Sequence, residues 1–322
     1  MKAGKAIAGA ALALACTGAF AQQYPTKPIR ILLPVPPAAG VDIILRKAAE
    51  ILQPRWGQSM VIENRASANM VTGTDACAKA APDGYTICGL SALSLALNPF
   101  TIASLPYDAE KDFRPIFNMF ILRGGLITKA SFPGNTVKEL QALAVSKPGV
   151  LNLGTLGPNS TVDISRQWLE QAWNTKITAI HYKGAPLIIN ALVAGEIDMS
   201  WIGAYNAIGQ IKSGKVKLLA IDGAKRTPVF PNVPVVGEVN LNGIASARPW
   251  WGLLGPAKMP DAAVRRINEE FTKLFKEPSF DEFLESYLVD IVAGSPEEFA
   301  RFITEDRAAA KLMVEKYKIP KE

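Results

Sequence analysis

The chain of 322 residues has a single histidine and only three cysteines. Zinc sites are built largely from cysteine and histidine ligands, so this shortage excludes an ordinary zinc site. His181 is the only imidazole that could act as a general base, and its segment AIHYKG contains no nucleophile. The motifs of serine hydrolases, P-loop proteins, dinucleotide-binding proteins and HExxH metalloproteases are absent. We therefore expect no enzyme activity, no metal and no cofactor.

Charge is also sparse and evenly spread. The sequence has 35 basic and 29 acidic residues, a formal charge of +6, without a block of lysine or arginine and without interleaved aromatic residues. A nucleic-acid groove needs such a basic stripe, so we expect no nucleic-acid partner. The mild positive charge favours small anions as ligands.

Residues 1–21 have the pattern of an export signal. Two lysines precede an apolar run, and Ala19-Phe20-Ala21 matches a cleavage site. We expect the mature chain to begin at Gln22 in a bacterial periplasm. A lipoprotein anchored at Cys16 is the alternative. No later apolar run has the roughly 18 residues that a membrane helix needs.

Cys77 and Cys88 remain after export. Cys77 lies in a helix-like segment and Cys88 in a strand-like one, both at positions that suit an apolar core. A disulfide is possible in an oxidising compartment, but we interpret the pair as buried free thiols.

Strand-like and helix-like segments alternate along the mature chain. The segment IRILLPV predicts a strand, and the spacing of apolar residues from Val41 to Leu52 predicts the helix after it. A second run of this kind begins near residue 125, where Thr136 and Glu139 form a capping box. The alternation is typical of open α/β sheets with parallel strands.

The sequence after PWWGLLGP is mainly helical, and residues 295–298 predict the start of a last helix. Because no third sheet is available, we expect these helices to cover the first sheet. The predicted domains are residues 22–124 plus 247–322, and residues 125–246. Two chain crossings then make a hinge with a cleft between the domains, a favoured place for ligands.

Four loops follow the carboxyl ends of predicted strands, at residues 36–41, 91–94, 155–161 and 203–206. Ligands of open α/β sheets bind at such ends, where helix N-termini present unpaired N–H groups. The segment TLGPNST could offer donors to an anion, but ordinary helix capping explains it equally well. His181, at another strand end, is expected to line a pocket or to pack.

Many segments together resemble the substrate-binding receptors of tripartite tricarboxylate transporters, also called the Bug family. They include YPTKPIRILLPVPPAAGVD, VIENR, AKAAPDGYT, HYKGAP, AGEIDM, IKSGKVKLLAI and GLLGPAKMP, in order from Tyr24 to about Phe302. The resemblance implies a two-lobed periplasmic binding protein of the Venus flytrap type, in which each lobe is a sheet flanked by helices. It also implies capture of a small carboxylate for a membrane permease, without catalysis.

In that family, backbone N–H groups, hydroxyls and water hold the carboxylate at the loops after the strands. The resemblance therefore implies a set of ligand-binding candidates: Pro37, Ala38, Ala39, Gly40, Asp42, Ser91, Ser94, Thr155, Asn159, Ser160 and Thr161. A partner of the helix N-terminus is the simpler explanation of Asp42.

The chain departs from the family pattern at three places. The first loop has Pro37-Ala38-Ala39 where the family has glycines, and residues 64–70 read NRASANM in place of a glycine-rich loop. Ile202 follows Trp201 where the family often has an aspartate. Alanine disfavours a positive φ, so we expect the backbone path of the first loop to be changed.

Arg248, Trp250 and Trp251 lie at the second predicted crossing. An arginine can clamp a carboxylate and an indole ring offers a flat apolar contact. We hypothesise an aromatic, bulky or dicarboxylic acid as ligand, with His181, Trp201, Arg248 and Trp250 as further contacts. Hinge packing of the tryptophans and a solvated Arg248 is the alternative.

Other functions stay open. The protein could present its ligand to a periplasmic sensor domain, or be a hydrolase or lyase whose site is unrecognised, although the missing base chemistry argues against an enzyme. A paralogue that binds nothing would also fit the lost glycines. We expect a monomer.

Overall fold

The computed structural model describes residues 24–158, 160–241 and 249–321. The predicted export signal and two ligand-binding candidates, Asn159 and Arg248, lie outside these residues. The described chain forms two lobes, each a sheet flanked by helices, as predicted. Both sheets are mixed, whereas the alternation of segments had indicated parallel strands.

Lobe I contains a six-stranded sheet. Its strands are β1 (Ile29–Leu33), β2 (Met60–Asn64), β3 (Thr86–Ser91), β4 (Phe113–Leu122), β10 (Trp250–Pro256) and β11 (Val289–Ile291), in the order β11-β4-β10-β3-β1-β2. The first three strands are parallel, and β10 is antiparallel to both of its neighbours. The helices are α1 (Gly40–Trp56), α2 (Val71–Ala78), α3 (Asn98–Thr101), α8 (Asp261–Phe275), α9 (Pro278–Ser286) and α10 (Pro296–Lys316).

Lobe II contains a five-stranded sheet. Its strands are β5 (Gly124–Lys129), β6 (Asn152–Thr155), β7 (Thr178–His181), β8 (Met199–Gly203) and β9 (Val216–Ile221), in the order β7-β6-β8-β5-β9. β6 is parallel to β7 and β8, whereas β5 is antiparallel to β8 and β9. The helices are α4 (Val137–Ser146), α5 (Thr161–Trp173), α6 (Ala185–Ala194) and α7 (Ile208–Lys212).

The chain passes from lobe I to lobe II at Arg123, between β4 and β5. The helices after β10 pack on the first sheet, because Phe117 of β4 contacts Phe271 and Phe275 of α8 at ring-centroid distances of 5.9 and 5.0 Å. The exact residue ranges of the two domains stay a prediction.

Local signals act as predicted at two helix starts. Thr136 and Glu139 form both hydrogen bonds of a capping box at α4, and Ser295 and Glu298 form the same pair at α10. These side chains use N–H groups that a helix cannot satisfy internally.

The interpretation of the cysteines as free thiols is wrong. Cys77 on α2 and Cys88 on β3 form a disulfide, with their Cα atoms 6.2 Å apart. Both residues are fully buried, as predicted. The helix that connects β2 to β3 packs back onto β3, and this crossover brings together two residues that are 11 positions apart.

None of the helices in the described ranges is both long and apolar enough to cross a bilayer.

Candidate functional site

The carboxyl ends of the parallel strands in both lobes lie at the boundary between the lobes. Ser91, at the end of β3, pairs with Trp251 at the start of β10, where the chain re-enters lobe I. Gly203, at the end of β8, pairs with Gly124 at the start of β5, beside the other crossing. The loops after these strands therefore face one another across the hinge, as expected for a cleft site.

The first loop, residues 34–39, is held by Asp42. The carboxylate of this buried residue accepts hydrogen bonds from the Ala38 N–H at 2.9 Å, from the Asn64 side chain at 2.9 Å and from two nitrogens of Arg46. Burial acts to raise the pKa of Asp42, but hydrogen bonds from Arg46, Asn64 and Ala38 hold it below its ordinary value. Both carboxylate oxygens of Asp42 thus accept hydrogen bonds within the protein. We interpret Asp42 as a residue that positions the loop, not as a ligand contact.

The backbone of the first loop keeps a positive φ despite the loss of glycine. Ala38 has φ 65°, in the left-handed region that costs a residue with a Cβ roughly 1–2 kcal/mol. Ala38 thus adopts the conformation that alanine disfavours, and whether the path differs from that of the family stays a prediction. Pro37 and Ala38 are exposed, Ala39 is half-buried, and Gly40 is buried.

The loop after β2 also has residues with a positive φ where the family has glycines. Asn69 and Met70 have φ values of 50° and 62°, at two positions where the resemblance implies glycines. The Met70 sulfur accepts a hydrogen bond from the Ser91 hydroxyl at 3.4 Å. A methionine side chain therefore lies beside the end of β3.

Ser91 and Ser94 have different surroundings. Ser91 lies at the strand end, and its hydroxyl donates to the sulfur of Met70, which is a weak acceptor. Ser94 is fully buried, and its hydroxyl accepts a hydrogen bond from Thr74 at 2.9 Å. Ser94 therefore stabilises the loop from inside lobe I and is not exposed at the cleft surface.

In lobe II, the structure brings together Thr155 and His181. The hydroxyl of the buried Thr155 lies 2.7 Å from Nδ1 of the exposed His181. Ser160 caps α5 by accepting from the Asp163 N–H at 3.3 Å, and Thr161 is the first residue of that helix. The capping explanation of TLGPNST therefore applies to Ser160.

Trp201 is buried at the hinge. Its indole nitrogen and the carboxylate of Asp222 both lie beside Gly124, and Asp222 accepts a hydrogen bond from the Gly124 N–H at 3.0 Å. Burial raises the pKa of Asp222 to about 6, and the negative charge of Asp290 adds to the rise. Asp290 is itself paired with Arg123. These groups form a partly buried network where β5 begins.

Trp250 does not reach the cleft and drops out of the candidate set. Its side chain is fully buried in lobe I, where the indole N–H donates to Asp306 at 2.8 Å. Phe299 and Phe302 pack against the ring edge-on. The alternative explanation, packing, is the one that applies to this tryptophan.

Tyr205 is the site residue that the sequence analysis missed. It lies in the predicted loop 203–206, in a 3₁₀ turn after β8, and its ring reaches Gly40 of the other lobe. An aromatic residue within a strand-end loop is the signal that could have indicated Tyr205. Nothing in the neighbouring sequence indicates its contact with Gly40.

The first turn of α1 is the strongest candidate for binding an anion. Its N-cap is Ala39, and no described side chain caps the helix. The first N–H groups of a helix have no intrahelical acceptor and lie at the positive end of the helix dipole. Within the described residues, no cluster of His, Cys, Asp or Glu could hold a metal. The first-turn N–H groups of α1 are donors of the kind that can hold a carboxylate.

Comparison with known proteins identifies relatives over almost the whole chain. A UPF0065 protein of Bordetella pertussis is 30% identical over 298 residues, which is 92% of this chain and 91% of that protein. The solved periplasmic binding protein BugD is 25% identical, with a TM-score of 0.82 over 93% of this chain and all of that one. The R. palustris protein Rpa4515, solved with adipate, has a TM-score of 0.86 at 23% identity, with the same coverage.

The family model described as the tripartite tricarboxylate transporter family receptor matches residues 44–319. Receptors of transporters are binding proteins, which agrees with the expectation that the chain is not an enzyme. The chain belongs to the tripartite tricarboxylate transporter family of receptors.

Proposed function

We propose that this protein holds a small carboxylate between its two lobes, in the bacterial periplasm, and delivers it to a tripartite tricarboxylate-type permease. The observation that carries the proposal is the uncapped N-terminus of α1, which faces lobe II at the hinge. Backbone N–H groups at such an end suit an anion. Asp42 supports this by fixing the loop that leads into the helix.

An aliphatic diacid is the ligand class that we favour. Two long helices begin at the cleft, α1 in lobe I and α5 in lobe II, so each end of a diacid would meet one helix N-terminus. The adipate bound to Rpa4515 supports this class. The aromatic hypothesis loses one of its supports because Trp250 lies in the lobe I core.

The periplasm and the permease are supported by the family and by the sequence. The family model describes a transporter receptor, and BugD is a periplasmic binding protein. Residues 1–21 carry the export pattern that such a location requires.

A thermal-shift screen tests the ligand class. The purified protein is heated with succinate, glutarate and adipate, with the diamide of each acid, and with benzoate and phthalate. A ligand at 100 times its Kd stabilises the folded protein by about 2.7 kcal/mol, which raises Tm. We expect one or more aliphatic diacids to raise Tm while the matched diamides do not. A larger shift with benzoate or phthalate would overturn the aliphatic assignment, and equal shifts with the diamides would overturn carboxylate recognition.

A further inference from the structure

Tyr205 makes a direct contact between the lobes. Its ring lies against Gly40, the first residue of α1, so closely that a methyl group on Gly40 would stand 2.8 Å from the ring carbon Cδ2 and nearer still to Cε2. Real carbon atoms do not approach so closely, so the contact requires glycine at residue 40. Tyr205 follows β8 in lobe II and Gly40 follows β1 in lobe I.

The opposite edge of the same ring is also held. A methyl group on Gly203 would stand 2.7 Å from Cε1 and 3.0 Å from Cδ1 of Tyr205. Gly203 has φ −53°, and Gly40 is helical, so neither position needs glycine for its backbone angles. Both glycines instead provide space for the ring. The ring packs between Gly40 of lobe I and Gly203 of lobe II.

The surroundings of the ring belong to lobe I. Tyr205 packs against the apolar cluster that includes Trp251, with Ala39 and Met70 as further partly buried members. Ala39 and Met70 come from the two loops with positive φ values described above. Burial raises the pKa of the Tyr205 hydroxyl, while the Asn206 side chain and the Gly40 N–H oppose the rise. The phenol is therefore seated on lobe I at the N-terminus of α1.

We propose that Tyr205 is the closing residue of the cleft: its ring seats lobe II on the first turn of α1 and limits the width of the ligand group that can bind beside it. The size limit rests on the proposed function, since it assumes a carboxylate at α1. The closing contact does not depend on any ligand.

Small-angle X-ray scattering of the full chain without added ligand tests the closing contact. Gly40→Ala should push the Tyr205 ring away from α1 and so increase the radius of gyration. Tyr205→Ala should also increase it, because the variant lacks the ring that contacts Gly40. The matched control for the first is Gly209→Ala, because a methyl group there meets nothing within 4 Å. Tyr85→Ala, at the amino end of β3 and so opposite the hinge end of that strand, is the control for the second.

Tyr205→Phe keeps the ring and should keep the radius of gyration of the wild type. Circular dichroism confirms that each variant is folded. An unchanged radius in both Gly40→Ala and Tyr205→Ala would overturn the closing contact.

Calorimetric titration with succinate and 2,2-dimethylsuccinate tests the size limit. Extra methyl groups in a close-fitting site cost about tenfold or more in affinity, so the wild type and Tyr85→Ala should bind the dimethyl acid at least about tenfold more weakly. Tyr205→Ala should reduce this ratio to about threefold or less. A ratio unchanged in Tyr205→Ala would overturn the size limit. If no diacid binds the wild type, the proposed diacid ligand class fails, and the scattering comparison still decides the closing contact.

Discussion

The two long helices that begin at the cleft differ in how their first turns are satisfied. α5 of lobe II is capped by the Ser160 hydroxyl, and Asp163 in its first turn pairs with Arg166 at 2.8 Å. α1 of lobe I begins at Ala39 with no side-chain cap. The comparison teaches that the lobes are unequal: the start of α1 has no side-chain cap and meets Tyr205 of lobe II, whereas α5 uses part of its first-turn donors within its own lobe.

Two aspartates near the hinge also differ between the lobes. Asp42 of lobe I has four donors and a lowered pKa, whereas burial raises the pKa of Asp222 of lobe II to about 6. Hydrogen bonding to the charged form outweighs burial in the first case, and burial outweighs it in the second.

Asp42→Ala should have the largest effect on stability. It leaves the Ala38 N–H, Asn64 and Arg46 without their acceptor, and the free energy of unfolding should fall by about 3 kcal/mol at pH 7. Urea denaturation measures the loss. Glu50→Ala, which removes an exposed ion pair with Lys47 on the same helix, should cost no more than about 0.5 kcal/mol.

Because the folded pKa of Asp42 lies below its ordinary value of 3.8, its contribution is present above that pH and is lost as the pH falls through the folded pKa. The difference between the wild type and Asp42→Ala should therefore shrink in acid. Equal losses in Asp42→Ala and Glu50→Ala would show that the carboxylate does not hold the loop.

Asp222→Asn should change how stability depends on pH. The folded pKa of Asp222 is raised from 3.8 to about 6, so its favourable contribution is complete below 3.8 and is lost as the pH rises through 6. Because Asp222 keeps some solvent contact, we expect the loss to be about 2 kcal/mol between pH 4 and pH 7.5. Denaturation curves across this range should show the loss in the wild type and not in Asp222→Asn; parallel pH profiles would contradict it.

Ala39→Ser should make the start of α1 resemble that of α5. A serine at this N-cap can accept from a first-turn N–H and should stabilise the protein by up to about 1 kcal/mol. The same cap competes with a ligand, so carboxylate affinity should fall by about fivefold. Calorimetric titration measures the affinity, with Ser160→Ala as the matched change in lobe II. Unchanged affinity in Ala39→Ser would mean that the first turn of α1 is not the anion site.

Ala38→Gly should have the smallest effect, a gain. Glycine relieves the strain of the left-handed conformation at φ 65° in the folded protein. It also makes the unfolded chain more flexible, so the net stabilisation should be about 0.5 kcal/mol. Ala39→Gly is the control, because Ala39 has φ −63° and glycine there should destabilise slightly. Thermal unfolding separates the two, and a loss in Ala38→Gly would contradict the strain.

Much of the fold could be predicted because its signals are local. The Thr136–Glu139 and Ser295–Glu298 capping boxes each depend on residues three apart, and both form as expected. The family motifs predicted the two lobes. The loops at the strand ends followed from the general position of ligands in open sheets.

The rest depends on contacts between distant parts of the chain. Nothing near Cys77 indicates that α2 packs onto Cys88, and nothing near Trp250 indicates the core of Phe299 and Asp306. The Tyr205–Gly40 contact exists because two lobes meet, and a pattern confined to one segment cannot report it. The positive φ of Ala38 is set by Asp42 and its partners, against the preference of alanine.

A crystal structure with the acid that gives the largest thermal shift is the most direct test of the carboxylate site at α1. We predict a carboxylate oxygen within hydrogen-bond distance of the first-turn N–H groups of α1, beside the Tyr205 ring. An acid bound elsewhere on the protein, or in the cleft with no carboxylate on α1, would contradict it.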